Sequence, residues 1–296
     1  MPHLQTAPLA SMPEDPLETA LRARLDARQL EIPLLPHVAA QVIAMTQAPD
    51  VDAARLAALI HGDQAIAGHV LRVANSVVFA GAIKIVSLQQ AITRLGTQRL
   101  SDIVSSVVIR GRLFSTDGLG EGFEALTHAL WRHALCVGLY AREIARARRC
   151  NVESGFLCGL LHDVGKPVLL LTLSDVARRV GGELSLRRAQ RLLDAYHAEA
   201  GAALTRAWEL PEPVIAAAAH HHDPASAAAA HAEVVWTVAL ANALAHSLTA
   251  APEARNVDAL MAHPAAARLN LYPEEIEALV EAWDGIYEQM DAMAQH

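Results

Sequence analysis

An all-α fold is what this sequence predicts, and three observations point to it. Of the 296 residues, 53% are hydrophobic but only 4% are aromatic, and much of the apolar total is alanine and leucine, which favour helix. Apolar positions recur at three- and four-residue spacing, the stripe of an amphipathic helix. Valine and isoleucine rarely alternate with polar residues, so strands are not indicated. The chain is long enough for one deep core or for two lobes.

The elements follow in order. Residues 1–14 hold three prolines and little periodicity and read as a loose tail. Asp15–Pro16 is a helix start, a capping carboxylate before a first-turn proline, and the helix continues through "LETALRARLDARQ". A second helix follows Pro36, and "DVDAARLAALIHGD" and "QAIAGHVLRVANS" give two more. In "KIVSLQQAITRLG", Ser87 and Gln90 have capping-box spacing and Gly96 sits where a C-terminal cap belongs. "TQRLSDIVSSVVIRGRLF" is helical again. The glycine-rich "STDGLGEG", residues 115–122, is the best internal linker. Beyond it the helical segments run from "EALTHALWRHALCVGLYAREIARARR" to "PEEIEALVEAWDGIYEQMDAM". The expected architecture is therefore a multi-helix bundle of two lobes, 15–114 and 123–250, with residues 251–296 packing on the second.

The formal net charge of -8 argues against direct nucleic-acid binding, which needs a basic face. Three cysteines, Cys136, Cys150 and Cys158, lack CxxC spacing and are odd in number, so buried reduced thiols in a cytoplasmic protein are expected. The N-terminus has no basic region followed by an apolar core, and no apolar run reads as long enough to span a bilayer, so no membrane partner is expected.

Histidine placement is more telling than the count of fifteen. Most lie after residue 127, and His133, His162 beside Asp163, His197 and the run His220–His222 each fall in or at the end of a predicted helix. "HD" alone is weak evidence, since His222–Asp223 repeats it. His162–Asp163 reads either as a polar helix end or as a metal-ligand pair. Imidazole and carboxylate suit Zn, Mn, Fe and Ni, and helix bundles build such sites from facing helices. Gly165 is expected to end its helix there, and Gly201, one turn beyond His197, to let that helix approach closely. His128, His231 and His246 read as surface or satisfied-core residues. The four tryptophans read as core.

These residues resemble the HD superfamily of metal-dependent phosphohydrolases. More closely, "IPLLPHVAAQVI", "LRVANSVVFAGAIKIVSLQQAITRLGTQRLSDIV", "LWRHALCVGLYAREIA", "GLLHDVGK" and "HAEAGAALTRAWELPEPVIAAAAHHHDP" resemble, in order, the HDOD family of bacterial signalling output domains. The resemblance spans roughly residues 25–250. It implies an HD-like second lobe and metal ligands at His133, His162, Asp163, His197, His221 and His222, with His220 on another face. One or two divalent transition ions (Fe, Mn, Zn or Ni) are the implied cofactor. Asn242 stands where HD proteins carry a late aspartate, and Ala129 where the dinuclear HD-GYP branch has a glutamate. The GYP segment is absent.

Most HDOD proteins have lost several of these ligands and act as non-catalytic modules. The resemblance thus implies a regulatory output module with signalling proteins as partners. The alternative is a metal-dependent phosphohydrolase with a nucleotide ligand, in which Asp163 would be ligand and proton acceptor and Lys166 would neutralise phosphate charge.

Overall fold

The computed structural model describes residues 15–35, 37–46, 53–79, 84–116, 119, 122–249 and 256–294. Among them there are fifteen α-helices, two short 3-10 turns and no strand, as the composition predicts. The tail 1–14 and half of the linker 115–122 lie outside the described residues.

Helix α1 (Pro16–Asp26) starts where Leu17 N–H donates to Asp15 Oδ1 at 3.0 Å. Leu17, Leu21 and Leu25, each four residues on, form its buried stripe. That stripe packs on Leu169, Leu173 and Leu192 of α8 (Gly165–Val180) and α9 (Leu186–Ala207), and Arg188 and Arg191 of α9 pair with Asp15. So α1, placed by sequence in the first lobe, belongs physically to the second. Its leucines need an apolar face, and α8 supplies one.

Helices α2 (His37–Thr46), α3 (Ala53–His61) and α4 (Gln64–Ala74) pack around the long α5 (Leu88–Leu113). Asp63 caps α4, and Ser87 caps α5 by accepting from Gln90 N–H at 3.3 Å. The return bond is displaced by one residue: Gln90 Oε1 accepts from Val86 N–H, not from Ser87. Gly96 ends a helical stretch with φ 77°, but the helix resumes at once, so α5 is kinked rather than stopped. Asn75 ends α4 and does more. Its side chain donates to Leu71 and Ile85 carbonyls and accepts from Ile85 N–H, all at 2.8 Å, closing the loop between α4 and α5.

The second half runs α6 (Phe123–Ala147), α7 (Val152–Leu161), α8, α9, α10 (Glu212–His220) and α11 (Ala232–Thr249). Four more helices follow: α12 (Val257–Met261), α13 (Pro264–Arg268), α14 (Pro273–Glu281) and α15 (Trp283–Ala294). Helices α6 and α7 touch backbone to backbone. A Cβ on Gly159 would lie 2.7 Å from Val137 O, so only glycine fits. Helix α15 lies along α6 and also reaches α5. There Arg142 of α6 donates to Asp102 of α5 at 3.0 Å and to Gln289 of α15 at 2.9 Å. One hydrophobic cluster runs from Val42 to Met293, so the two halves share a core.

The stretch Val152–Val180 contains an 18-residue window with a mean hydropathy of 1.5, apolar enough to cross a membrane by length and composition. That window is 89% buried inside the protein, and the stretch is broken by the turn at 162–164 into α7 and α8. Both helices are apolar because the core surrounds them.

Candidate metal centre

The α7–α8 turn carries His162 and Asp163. His162 caps α7 and is fully buried; Asp163 is 6% exposed. Gly165 does not simply end a helix, as the sequence suggests. It opens α8, and the reason it is glycine lies in α9: a Cβ there would sit 2.0 Å from His197 O and 2.6 Å from Gly201 N. Gly165 and Gly201 together let α8 and α9 meet backbone to backbone. That contact brings His197 to Asp163.

Five histidines surround this aspartate. His133 comes from α6, His197 from α9, and His221 and His222 from the end of α10. One group of potential ligands is Asp163, His197, His221 and His222; another is His133, His162 and Asp163. Asp163 belongs to both. Its Oδ1 faces His197 Nε2 at 3.2 Å and His221 Nε2 at 3.4 Å. Its Oδ2 faces His162 Nε2 at 3.4 Å and His133 Nε2 at 3.8 Å.

The outer nitrogens are fixed by backbone. His162 Nδ1 meets Gly159 O at 2.7 Å, His197 Nδ1 meets Leu193 O at 2.8 Å, and His221 Nδ1 meets Ala217 O at 3.1 Å. A carbonyl only accepts, so in each ring Nδ1 carries the proton and Nε2 of the neutral ring presents its lone pair inward. Burial pushes His133 down to about 3 and His222 to about 4, and it lowers His197 and His221 as well. Burial thus disfavours the charged form of His133, His197, His221 and His222. Burial alone would raise Asp163; His162, His221 and the Lys166 ammonium outweigh it and hold the carboxyl well below its usual range.

Such an arrangement is unfavourable without a cation. Inward lone pairs crowd together, with His197 Nε2 and His221 Nε2 only 3.3 Å apart. His133 Nε2, His162 Nε2 and Asp163 Oδ1 are buried and lack a hydrogen-bond partner. Unpaired buried polar atoms are costly. Imidazole lone pairs and a shared carboxylate form a donor set that suits a divalent transition ion. The residues therefore fit such an ion.

The other predicted residues fall as follows. Lys166 donates to Asp163 Oδ2 at 2.5 Å, so its ammonium is engaged with the carboxylate. His220 turns away and pairs with Ser226 Oγ at 2.9 Å. Asn242 lies on α11, its Oδ1 buried and without a partner. His246, read from sequence as a surface or core residue, stacks on His133 with ring centroids 4.6 Å apart. It is one turn beyond Asn242, and that i, i+4 spacing was the available signal. Beside His133 a groove of about 910 Å³ opens between α6, α11 and α15, lined by Ala129, Arg132, Trp283 and Tyr287 among others. Trp283 therefore edges a groove as well as packing against the core.

The HDOD domain model matches residues 32–224. The chain belongs to the HDOD family. The matched range includes every histidine around Asp163 except His246, and it stops before Asn242. An HDOD domain protein of unknown function from Geobacter sulfurreducens is similar in structure, with a TM-score of 0.71, 26% identity, and coverage of 94% of this chain and 98% of that one. A candidate metal-dependent phosphohydrolase from Shewanella amazonensis SB2B shares the fold, with a TM-score of 0.69, 21% identity, and coverage of 93% and 98%. An uncharacterized protein of Treponema pallidum (strain Nichols) is 30% identical over 234 residues, 76% of this chain. The HDOD chain spans only 44% of that relative's length.

Proposed function

We propose that this HDOD chain is a bacterial regulatory output module whose second half holds one or two divalent transition ions. The observation that carries the metal is the position of Asp163, one carboxylate facing two groups of inward imidazole nitrogens. His133, His162 and Asp163 would hold one ion, and Asp163, His197, His221 and His222 the other. Asn242 offers an amide oxygen but no charge, so it would bind weakly. The regulatory role is favoured by the family and by Ala129 and Asn242, which stand where carboxylates would strengthen a catalytic site. In this reading the module passes its signal through contacts with signalling proteins in the cytoplasm. Cys136 and Cys158, whose thiols burial pushes up to about 12, are inert reduced side chains there.

A second reading is metal-dependent phosphohydrolysis of a nucleotide phosphodiester. The groove at His133 favours it, because it gives a ligand access to one edge of the centre. A bound ion would supply Lewis-acid polarisation and an acidified water. Asp163 would orient that centre and accept a proton, and Lys166 would have to leave Asp163 to meet a phosphate.

Elemental analysis of purified protein tests the metal: one or two Fe, Mn, Zn or Ni ions per chain are expected, and none in His162→Ala/Asp163→Ala. A wild-type chain that neither retains nor rebinds a transition ion overturns the centre. A phosphodiester panel then separates the readings. Turnover lost in the double variant establishes the enzyme, and absence of turnover in the metal-loaded chain supports the regulatory module.

A further inference from the structure

The chain has a net charge of -8, yet its charge is unevenly spread. Between Gln64 and Leu113 there are six cations, Arg72, Lys84, Arg94, Arg99, Arg110 and Arg112, and one acid, Asp102. That acid is buried against Arg142 and neutralises nothing at the surface. The segment is therefore locally basic within an acidic protein.

That face has a shape. A groove of about 780 Å³ lies where α4 meets the chain entering α5, and both Arg72 and Lys84 line it with no acid among its walls. Neither cation has an ion pair among the described residues, in contrast to Arg132 and Arg142 of α6 and Arg188 and Arg191 of α9. Ser76 also lines the groove, and its hydroxyl is buried with no hydrogen-bond partner. Two aliphatic side chains stand out of the same region: Val77 is 95% and Val86 is 70% exposed. The Asn75 clamp to Ile85 holds both ends of the loop in place, so the valines and cations are presented together. Arg99 lies over one face of the Phe79 ring, 5.7 Å from its centroid.

We infer that the α4–α5 corner is a docking surface for an acidic protein segment carrying aliphatic side chains. Carboxylates of the partner meet Arg72 and Lys84, and its aliphatic groups cover Val77 and Val86. Such a pairing buries apolar area at the centre and uses charge for steering and register. Two unpaired cations with exposed valines do not make the extended basic track that phosphate backbones need. The inference deepens the regulatory reading, on which it rests, and does not involve the metal centre.

The test uses the full chain and a fluorescein-labelled helical peptide of glutamate and leucine, read by anisotropy and by hydrogen exchange over residues 68–86. Saturable binding is expected, weakened at least tenfold in Arg72→Glu/Lys84→Glu and in Val86→Asp, with melting temperatures unchanged. A leucine–lysine peptide that binds equally well, or binding insensitive to these variants, overturns the surface. An oligothymidylate that binds more tightly than the peptide and is lost in the same variants overturns it in favour of nucleic acid. Absence of peptide binding in a chain without phosphodiester turnover removes the surface alone; absence of binding together with robust turnover removes the regulatory reading too.

Discussion

Two carboxylates are buried among the described residues, and the protein treats them differently. Asp102 on α5 is answered inside the fold: Arg142 donates to it at 3.0 Å and spends its remaining donors on Glu143 and Gln289. Asp163 at the α7–α8 turn has one direct ammonium, Lys166, and is otherwise ringed by imidazoles whose Nε2 atoms crowd toward it. The first is a closed polar network that ties α5, α6 and α15 together. The second is an open one, left short of positive charge and short of donors. A fold can hide a closed network for stability alone. An open one calls for a guest.

Glycine substitutions break this comparison most severely. Gly165→Ala drives a Cβ into the backbone of α9, where neither His197 O nor Gly201 N can give way. A loss of more than about 3 kcal/mol is expected, enough to prevent folding in many domains, and it is read by denaturant unfolding or by failure to recover soluble chain. Retention of wild-type stability would show that the α8–α9 contact is looser than described.

Next comes the closed network. Asp102→Ala strands the buried Arg142 and is expected to cost about 3–5 kcal/mol while leaving the metal count unchanged. Loss of metal in that variant would mean that the two halves are coupled more tightly than their separate networks imply.

The pH response distinguishes the networks at intermediate size. His133, at about 3, and His222, at about 4, titrate below the free imidazole value of 6.5, chiefly through burial. The unfolded chain takes up protons first, so stability present above pH 6.5 is lost as the pH falls toward 4. Asp102 acts in the opposite sense. Burial, partly offset by Arg142, raises it to about 6, so between about pH 6 and 4 its protonation favours the fold. Thermal melts of metal-free protein should therefore fall below pH 6.5. The fall should be shallower in His133→Gln and steeper in Asp102→Asn; identical profiles would remove these groups as the cause.

The smallest effect is expected at Gly111 on α5, where an added Cβ meets nothing within 4 Å. Gly111→Ala should raise stability by about 0.5–1 kcal/mol through helix propensity alone. Set beside Gly165→Ala, it separates a glycine required by contact from one that is not.

Much of the secondary structure was legible locally. Asp15, Asp63, Ser87 and Asn151 cap the helices that follow them, and their side-chain oxygens accept from the first turn as that residue type predicts. Long-range placement was not legible in the same way. Nothing in the leucine stripe of α1 says that its partner is α8, because any apolar face of matching width would satisfy it. His246 was passed over for a similar reason: its i, i+4 spacing from Asn242 gains meaning only once the ring of His133 is known to lie beside it. The unpaired state of Arg72 and Lys84 is equally invisible in the sequence, because ion pairing depends on which distant acids the fold brings near.

By itself, then, the sequence determined that the chain is helical, that Asp15 and Ser87 open helices, and which histidines and aspartate belong to a family pattern. Local spacing and residue chemistry suffice for those. Only the tertiary structure decided that Asp163 stands between two imidazole groups, that Gly165 rather than Gly201 bears the closest contact, and that α1 crosses to the second half. Each of those depends on backbones separated by tens of residues coming within a few ångströms, and that is settled by packing.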